Sequence, residues 1–151
     1  AEHYAAPEVA ATVRAGARRL RADAISHGAD PDEVDRAVVA LRPPDHEIHH
    51  AALTLGNRAV TIEHPGRGHT DHDLIVVVPG EYVVVFCGDL VEESGDPAID
   101  EHSDVGAWPS TLDVMLAAAG PDALLVPGHG AVVDADFVRQ QQQWLRTRAP
   151  G

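Results

Sequence analysis

The first third of the chain has the apolar spacing of helices. Apolar residues recur every three or four positions over residues 7–27, and this period predicts one amphipathic helix. A second helix is predicted from Pro31, with Asp30 as its N-cap, because a short acidic side chain satisfies free amides at a helix start. Pro43 and Pro44 end this helix, since proline cannot continue it.

The middle of the chain changes to the pattern of β-strands. The runs 46–55 and 58–64 flank a Gly-Asn pair, which is a strong signal for a two-residue hairpin turn. Two continuous apolar runs follow, at residues 74–78 and 82–87. Continuous apolar runs are typical of strands that are buried on both faces, so we expect a sheet with two covered sides.

Helix and strand alternate again toward the end of the chain. Pro109 opens a predicted helix that ends at Gly120, and a short strand is predicted over residues 123–126. Residues 134–146 form a predicted amphipathic helix, and we assign Gln140–Gln143 to its exposed face. The whole pattern predicts a mixed α/β (α+β) protein.

Composition limits the class of protein. The chain has 151 residues, of which 44% are hydrophobic and 4% aromatic, so residues 1–151 suit a single domain with a core of alanine, valine and leucine. The formal net charge is -13. Phosphate backbones and anionic membrane surfaces attract cationic proteins, so neither a nucleic acid nor a membrane is expected as a partner.

Cysteine content and hydropathy indicate the compartment. Cys87 is the sole cysteine and cannot form an internal disulfide. No apolar run reaches the roughly 20 residues that span a bilayer, and no secretory leader is visible. We therefore expect a cytoplasmic protein. The sequence begins with Ala1 instead of methionine.

Three residues that can bind metals occur in similar local contexts. His69, Asp89 and His129 each follow a glycine close behind a strand-like run. Imidazole and carboxylate donors without a thiolate suit zinc, manganese or iron in a hydrolytic site. Among ten histidines, any single one is more often an ordinary polar loop residue, so the hypothesis depends on the three side chains meeting in space.

The segments around these residues resemble a known family. Gly68–Asp73, Cys87–Leu90 and Pro127–Gly130 are similar, in order and in spacing, to motifs of the metallo-β-lactamase superfamily, including its glyoxalase II-like members. The resemblance implies that His69 binds a first metal ion, that Asp89 bridges two ions and that His129 binds the second. It also implies the fold of the C-terminal part of an αββα sandwich.

The chain departs from the family in one respect. The motif His-x-His-x-Asp-His should lie upstream of the first helix, and it does not occur in the sequence. The cluster Asp45–His50 has a different spacing and position, so we interpret it as polar strand residues. We therefore expect that the N-terminal portion of the sandwich is missing from this chain.

The resemblance implies a reaction as well. In a complete site, two zinc ions, or iron or manganese in their place, would lower the pKa of a bound water toward about 7. The hydroxide would attack a small ester, thioester or lactone, while Asp89 bridges the ions and orients the nucleophile. Three ligands alone predict weak metal binding and weak or absent activity for this chain.

Residues near the ligands have predicted supporting roles. Asp73 either bonds to a ligand histidine or holds the turn, and Thr70 caps the same turn. His72 either faces the substrate or is a solvent-exposed loop histidine. Cys87 is expected to be a small buried thiol.

A non-catalytic function remains open. A truncated half of the fold would serve as an interaction or assembly module instead of an enzyme with a small-molecule substrate. A half sandwich exposes one side of its sheet. We therefore expect that a homodimer contact or the missing N-terminal segment covers an apolar set of side chains: Val76, Val78, Val84 and Phe86.

Overall fold

A computed structural model describes residues 1–149 of the chain. The internal contacts divide the chain into two compact units, Ala1–Ile48 and His49–Gly151. Among the described residues, no helix has the combined length and apolarity that a membrane span requires.

The first unit is mainly helical. In chain order its elements are β1 (Tyr4–Ala5), α1 (Pro7–Ala15), α2 (Arg18–Ser26), α3 (Pro31–Ala40) and β2 (His46–Glu47). Strands β1 and β2 pair in parallel. The predicted cap of α3 is confirmed, because the Asp30 carboxylate accepts hydrogen bonds from two backbone amides at 3.0 Å.

The prediction of one helix over residues 7–27 is wrong. Gly16 has a φ of 105°, which ends α1, and the chain starts α2 at Arg18. A residue in this left-handed region cannot continue a right-handed helix, and glycine adopts it without steric cost. The apolar period alone did not reveal this break, because the spacing continues across it.

The second unit contains a five-stranded sheet and two helices. In chain order these are β3 (His50–Leu55), β4 (Arg58–Glu63), β5 (Ile75–Val78), β6 (Val84–Glu92), α4 (Trp108–Ala119), β7 (Leu124–His129) and α5 (Ala135–Arg146). The strand order in the sheet is β3-β4-β5-β6-β7. Neighbouring strands are antiparallel except β6 and β7, which are parallel and are connected through α4.

The predicted hairpin is confirmed. Leu55 pairs with Arg58 across the two-residue turn, and Gly56 has the positive φ of 65° that such turns need. The run 46–55 is nevertheless two strands, because His46 and Glu47 pair with β1, whereas β3 starts at His50.

The core of the second unit lies on one face of its sheet. This face contributes Val85, Cys87 and Leu125, and the two helices pack on it through buried side chains, namely Trp108, Leu112 and Met115 of α4 with Val138 and Leu145 of α5. Phe86 and Leu124 point to the other side and are 48% and 45% exposed. The prediction of strands buried on both faces is therefore wrong for β6.

The glutamines of α5 also differ from expectation. Gln141 and Gln142 are only 6% and 4% exposed, so the assignment of Gln140–Gln143 to a solvent face is wrong for these two. They follow Val138 by three and four positions and precede Leu145 by four and three. This spacing places them on the packed stripe of the helix.

Candidate metal centre

Asp89 lies inside β6 and not after its end. The preceding Gly88 has a φ of 53°, and the pairing with β7 shifts register on both sides of Asp89. The alternation of buried and exposed residues is interrupted here: Cys87 is buried, whereas the Asp89 side chain is 47% exposed. The irregular strand therefore leaves the carboxylate accessible between β7 and the loop after β4.

His129 is brought to Asp89 by the parallel pairing of β6 and β7. It is the last residue of β7, and its Nε2 lies 3.6 Å from Oδ1 of Asp89. A Cβ atom at Gly128 would overlap Oδ1 of Asp89 and come within 3.0 Å of the Gly88 carbonyl carbon. The close approach of the two strands at this point therefore needs a glycine at position 128.

His69 reaches the same carboxylate from the loop between β4 and β5. Its Nε2 lies 3.7 Å from Oδ2 of Asp89, while its Nδ1 lies 3.2 Å from the carbonyl oxygen of Ala98. A carbonyl only accepts, so the hydrogen bond requires the proton on Nδ1. This tautomer leaves a lone pair on Nε2, which is the form that binds a metal.

The structure thus brings the three predicted ligand side chains together, one imidazole at each carboxylate oxygen. The separations of 3.6 and 3.7 Å exceed those of N–H···O hydrogen bonds. Two ligand atoms about 2.1 Å from one tetrahedral zinc ion are about 3.4 Å apart, so each histidine–carboxylate pair has nearly the spacing of two ligands of one cation. Among residues 1–149, however, no group of three or more His, Cys, Asp or Glu side chains is already arranged to hold one.

The turn after His69 is held by Thr70 and Asp73. The Asp73 carboxylate accepts from the Thr70 backbone amide at 2.9 Å and from its hydroxyl at 2.7 Å. Of the two roles predicted for Asp73, these contacts match the one in which it holds the turn. His72 lies 2.6 Å from Asp71 through Nδ1, and this hydrogen bond lowers the pKa of Asp71.

Helices α4 and α5 hold β6 next to the candidate ligands. Trp108 Nε1 donates to the Leu90 carbonyl at 3.0 Å, and Gln141 Nε2 donates to the same oxygen at 2.8 Å. The Gln141 amide oxygen accepts from the Glu92 backbone at 3.0 Å. A buried glutamine thus satisfies two backbone groups just beyond Asp89. The sequence did not predict this role, although the helical spacing of Gln141 from Val138 indicated its burial.

The other metal-capable residues lie in different surroundings. The Cys87 thiol is in the core of the second unit, and burial raises its pKa to about 12, which matches the expected buried thiol. In the first unit, His46 stacks on Tyr4 at 4.3 Å and lies 3.2 Å from Glu2 through Nε2. These are ordinary polar contacts of a strand histidine.

Comparison with known proteins identifies one superfamily. The family model of the Metallo-beta-lactamase superfamily matches residues 3–129. Metallo-beta-lactamase type 2 of Bacillus cereus is 33% identical over 84 residues, which are 54% of this chain and 32% of that protein. The Bacteroides fragilis protein of the same name is 31% identical over 80 residues, or 52% of this chain and 32% of its own length.

Solved structures show the same fold. The metallo-beta-lactamase from Pontibacter korlensis superposes with a TM-score of 0.63 at 21% identity, covering 75% of this chain and 54% of that one. DIM-1 metallo-beta-lactamase gives 0.63 at 19% identity, covering 74% and 52%.

The chain belongs to the metallo-β-lactamase superfamily, a superfamily of metallo-hydrolases, and its predicted mixed α/β fold is confirmed. Its matched part spans about a third of the curated relatives, 32%.

Proposed function

We propose that this chain carries part of the active site of a zinc-dependent hydrolase, glyoxalase II-like in substrate class, that cleaves small esters, thioesters or lactones. The observation that carries the proposal is the meeting of two imidazoles at one carboxylate, 3.6 and 3.7 Å from its two oxygens. Ordinary surface histidines would not be expected to converge in a pair on one carboxylate. The membership in a superfamily of metallo-hydrolases supports the same chemistry.

Each residue has a proposed task. His69 and His129 would bind zinc through Nε2. Asp89 would contribute Oδ2 on the side of His69 and Oδ1 on the side of His129. A divalent cation held there supplies Lewis acidity, which polarises an acyl carbonyl and makes water acidic near neutral pH. The Ala98 carbonyl fixes the His69 tautomer, and Thr70 with Asp73 keeps the turn that carries His69. His72 lies on the same turn and remains a candidate for contact with substrate.

The partner is proposed to be a small molecule in the cytoplasm. The net charge of -13 supports this choice over a nucleic acid, because it repels a phosphate backbone. β-Lactams have the same acyl carbonyl chemistry as esters and lactones, and the curated relatives are named as lactamases. They belong in the substrate test for that reason.

Zinc binding and turnover test the proposal. Zinc affinity is measured by calorimetry for the wild-type chain and for Asp89→Asn, with Glu81→Gln as the control. Glu81 lies in the turn before β6, at the far end of that strand from Asp89. We expect Asp89→Asn to lose zinc affinity at least tenfold and Glu81→Gln to keep it. Turnover by the zinc-loaded chain is assayed with a p-nitrophenyl ester, an acyl thioester, a lactone and a chromogenic β-lactam, and we expect it to be weak or absent because only three ligands are present. Equal zinc affinity in all three proteins would refute the metal centre.

A second candidate function is an interaction module without catalysis. The exposure of Phe86 and Leu124 on the uncovered sheet face favours it, because large apolar side chains gathered on one surface often mark a contact site. An absence of zinc binding together with concentration-dependent association would support this alternative.

A further inference from the structure

The backbone that follows Asp89 contacts both histidine-bearing segments. The connection between β6 and α4 includes a stretch that we call the 93–104 segment, Glu93–Asp104. One end lies against the residues around His129, and its later part lies against those around His69. Neither contact was indicated by the spacing of the motifs.

The first residue of the segment, Glu93, forms hydrogen bonds with the loop that carries His129. The Glu93 backbone amide donates to the His129 carbonyl at 3.1 Å, and the Glu93 carboxylate accepts from the Ala131 amide at 2.8 Å. The two bonds bracket the chain from 129 to 131. Gly130 permits this approach: its φ is 97°, and a Cβ atom there would overlap Oε2 of Glu93 and lie 2.8 Å from the Glu93 Cβ.

Farther along the chain, the segment forms hydrogen bonds with both the ring and the backbone of His69. The Ala98 carbonyl accepts from His69 Nδ1 at 3.2 Å, and the Ser103 hydroxyl donates to the His69 carbonyl at 2.9 Å. The Asp104 amide donates to the Gly68 carbonyl at 2.8 Å. The ring of His69 is therefore fixed in rotation, and the backbone under it is fixed in position.

We propose that the 93–104 segment positions both imidazole ligands at once, with Glu93 and Ser103 as the side chains responsible. The proposal rests on the proposed metal centre. Because the segment begins four residues after Asp89, it joins the strand that carries the carboxylate to the stretches that carry both histidines. Neither side chain is proposed to touch the cation. They act through His129 and His69, in the way that groups around a metal ligand fix its orientation.

The first measurement needs no metal. Amide hydrogen exchange at Ala131 is compared in wild type, Glu93→Ala, Glu93→Gln and the charge-matched control Glu81→Ala. We expect Glu93→Ala to speed exchange at Ala131 at least tenfold. Glu93→Gln should keep most of the protection, because its amide oxygen still accepts the bond. Unchanged exchange at Ala131 in Glu93→Ala would overturn the proposed bracket.

The second measurement follows the consequence for the metal. Zinc affinity by calorimetry should fall about tenfold or more in Glu93→Ala and in Ser103→Ala, since removing a group that orients a ligand typically costs that much. Glu93→Gln should restore it, and Glu81→Ala should match wild type. Equal loss in Glu93→Ala and Glu93→Gln would show that charge matters and not the hydrogen bond, and would overturn the proposal.

The two measurements separate the proposals. If wild type binds no zinc, the metal centre fails, whereas the exchange result still decides whether Glu93 holds the His129 loop. If wild type binds zinc and Asp89→Asn does not, but both alanine variants bind like wild type, the metal centre stands and the positioning role is refuted.

Discussion

Nε2 of His129 lies 3.6 Å from Oδ1 of Asp89, although the two residues are 40 positions apart in the sequence. The parallel pairing of β6 and β7 produces this contact, because Gly88 pairs with Pro127 and Glu92 with His129, which leaves Asp89 in the irregular stretch between these two pairs. Asp89 is accessible because β6 is irregular at that point. The candidate site therefore depends on a local defect in the sheet as much as on its ligands.

Gly128→Ala is expected to damage this contact. The new Cβ would overlap the Asp89 carboxylate and press on the Gly88 backbone, which cannot move aside as a flexible side chain would. Overpacking of this kind costs about 1–3 kcal/mol. We expect a lower melting temperature and a loss of zinc affinity.

Gly95→Ala is the matched control, since a Cβ at Gly95 meets no atom within 4 Å and needs no special backbone angle. Thermal unfolding of both variants is followed by circular dichroism. If Gly128→Ala has the same melting temperature as Gly95→Ala and wild type, the contact between β6 and β7 tolerates a side chain at position 128 and does not require glycine there.

The features of the fold and of the site that were predictable are those with local signals. Asp30 and the Gly-Asn turn have recognisable chemistry within a few residues, and both predictions are confirmed. Glycines precede His69, Asp89 and His129 in the sequence, and the structure brings these three side chains together. Metal binding by them stays a prediction.

The parts that were not predictable depend on distant partners. The Glu93 bond to Ala131 and the Ser103 bond to His69 join loops 38 and 34 residues apart, and no pattern in sequence specifies such a pairing. The break at Gly16 was missed for another reason: glycine is tolerated inside a helix, so only its φ angle of 105° decides the matter.

Gln141→Leu tests whether a buried amide supports β6. The leucine keeps most of the volume but leaves the Glu92 amide without its acceptor, and it removes one of two donors to the Leu90 carbonyl. Loss of a partner to a buried polar group costs about 1–3 kcal/mol. We expect a fall in melting temperature of at least about 2 °C.

Gln143→Leu is the control on the same helix, because Gln143 is exposed. A surface change of this kind stays within about 0.5 kcal/mol. Chemical denaturation gives the free energy of unfolding for both variants. Equal values would mean that the Gln141 hydrogen bonds do not contribute measurably.

The ion pair between α2 and α3 predicts a weak acid sensitivity of the first unit. Arg21 Nη2 lies 3.1 Å from Oδ2 of Asp35, and the hydrogen bonds from Arg21 lower the pKa of Asp35. The carboxylate is therefore favoured by folding. Its contribution is present above the unfolded value of about 3.9 and is lost as the pH falls through the lower folded value.

Both side chains are exposed, so the effect should be small and weaker in high salt. Helicity is recorded as a function of pH for wild type and Asp35→Asn, with Asp122→Asn of the second unit as the control. We expect Asp35→Asn to lose less helicity than wild type as the pH falls below about 4. A wild-type curve that matches Asp35→Asn throughout would contradict the coupling.

Phe86→Glu tests what the uncovered sheet face does. Phe86 is 48% exposed and is paired with Val76 on one side and Val126 on the other, so it lies at the centre of an apolar row. We expect the isolated chain to self-associate through this row at micromolar concentrations and Phe86→Glu to shift it toward the monomer in light scattering. Val39→Glu is the control, because Val39 is an apolar side chain, 77% exposed, in α3 of the first unit. A monomeric wild type would show that the row needs no cover, and dissociation by Val39→Glu alone would assign the contact to the helical unit.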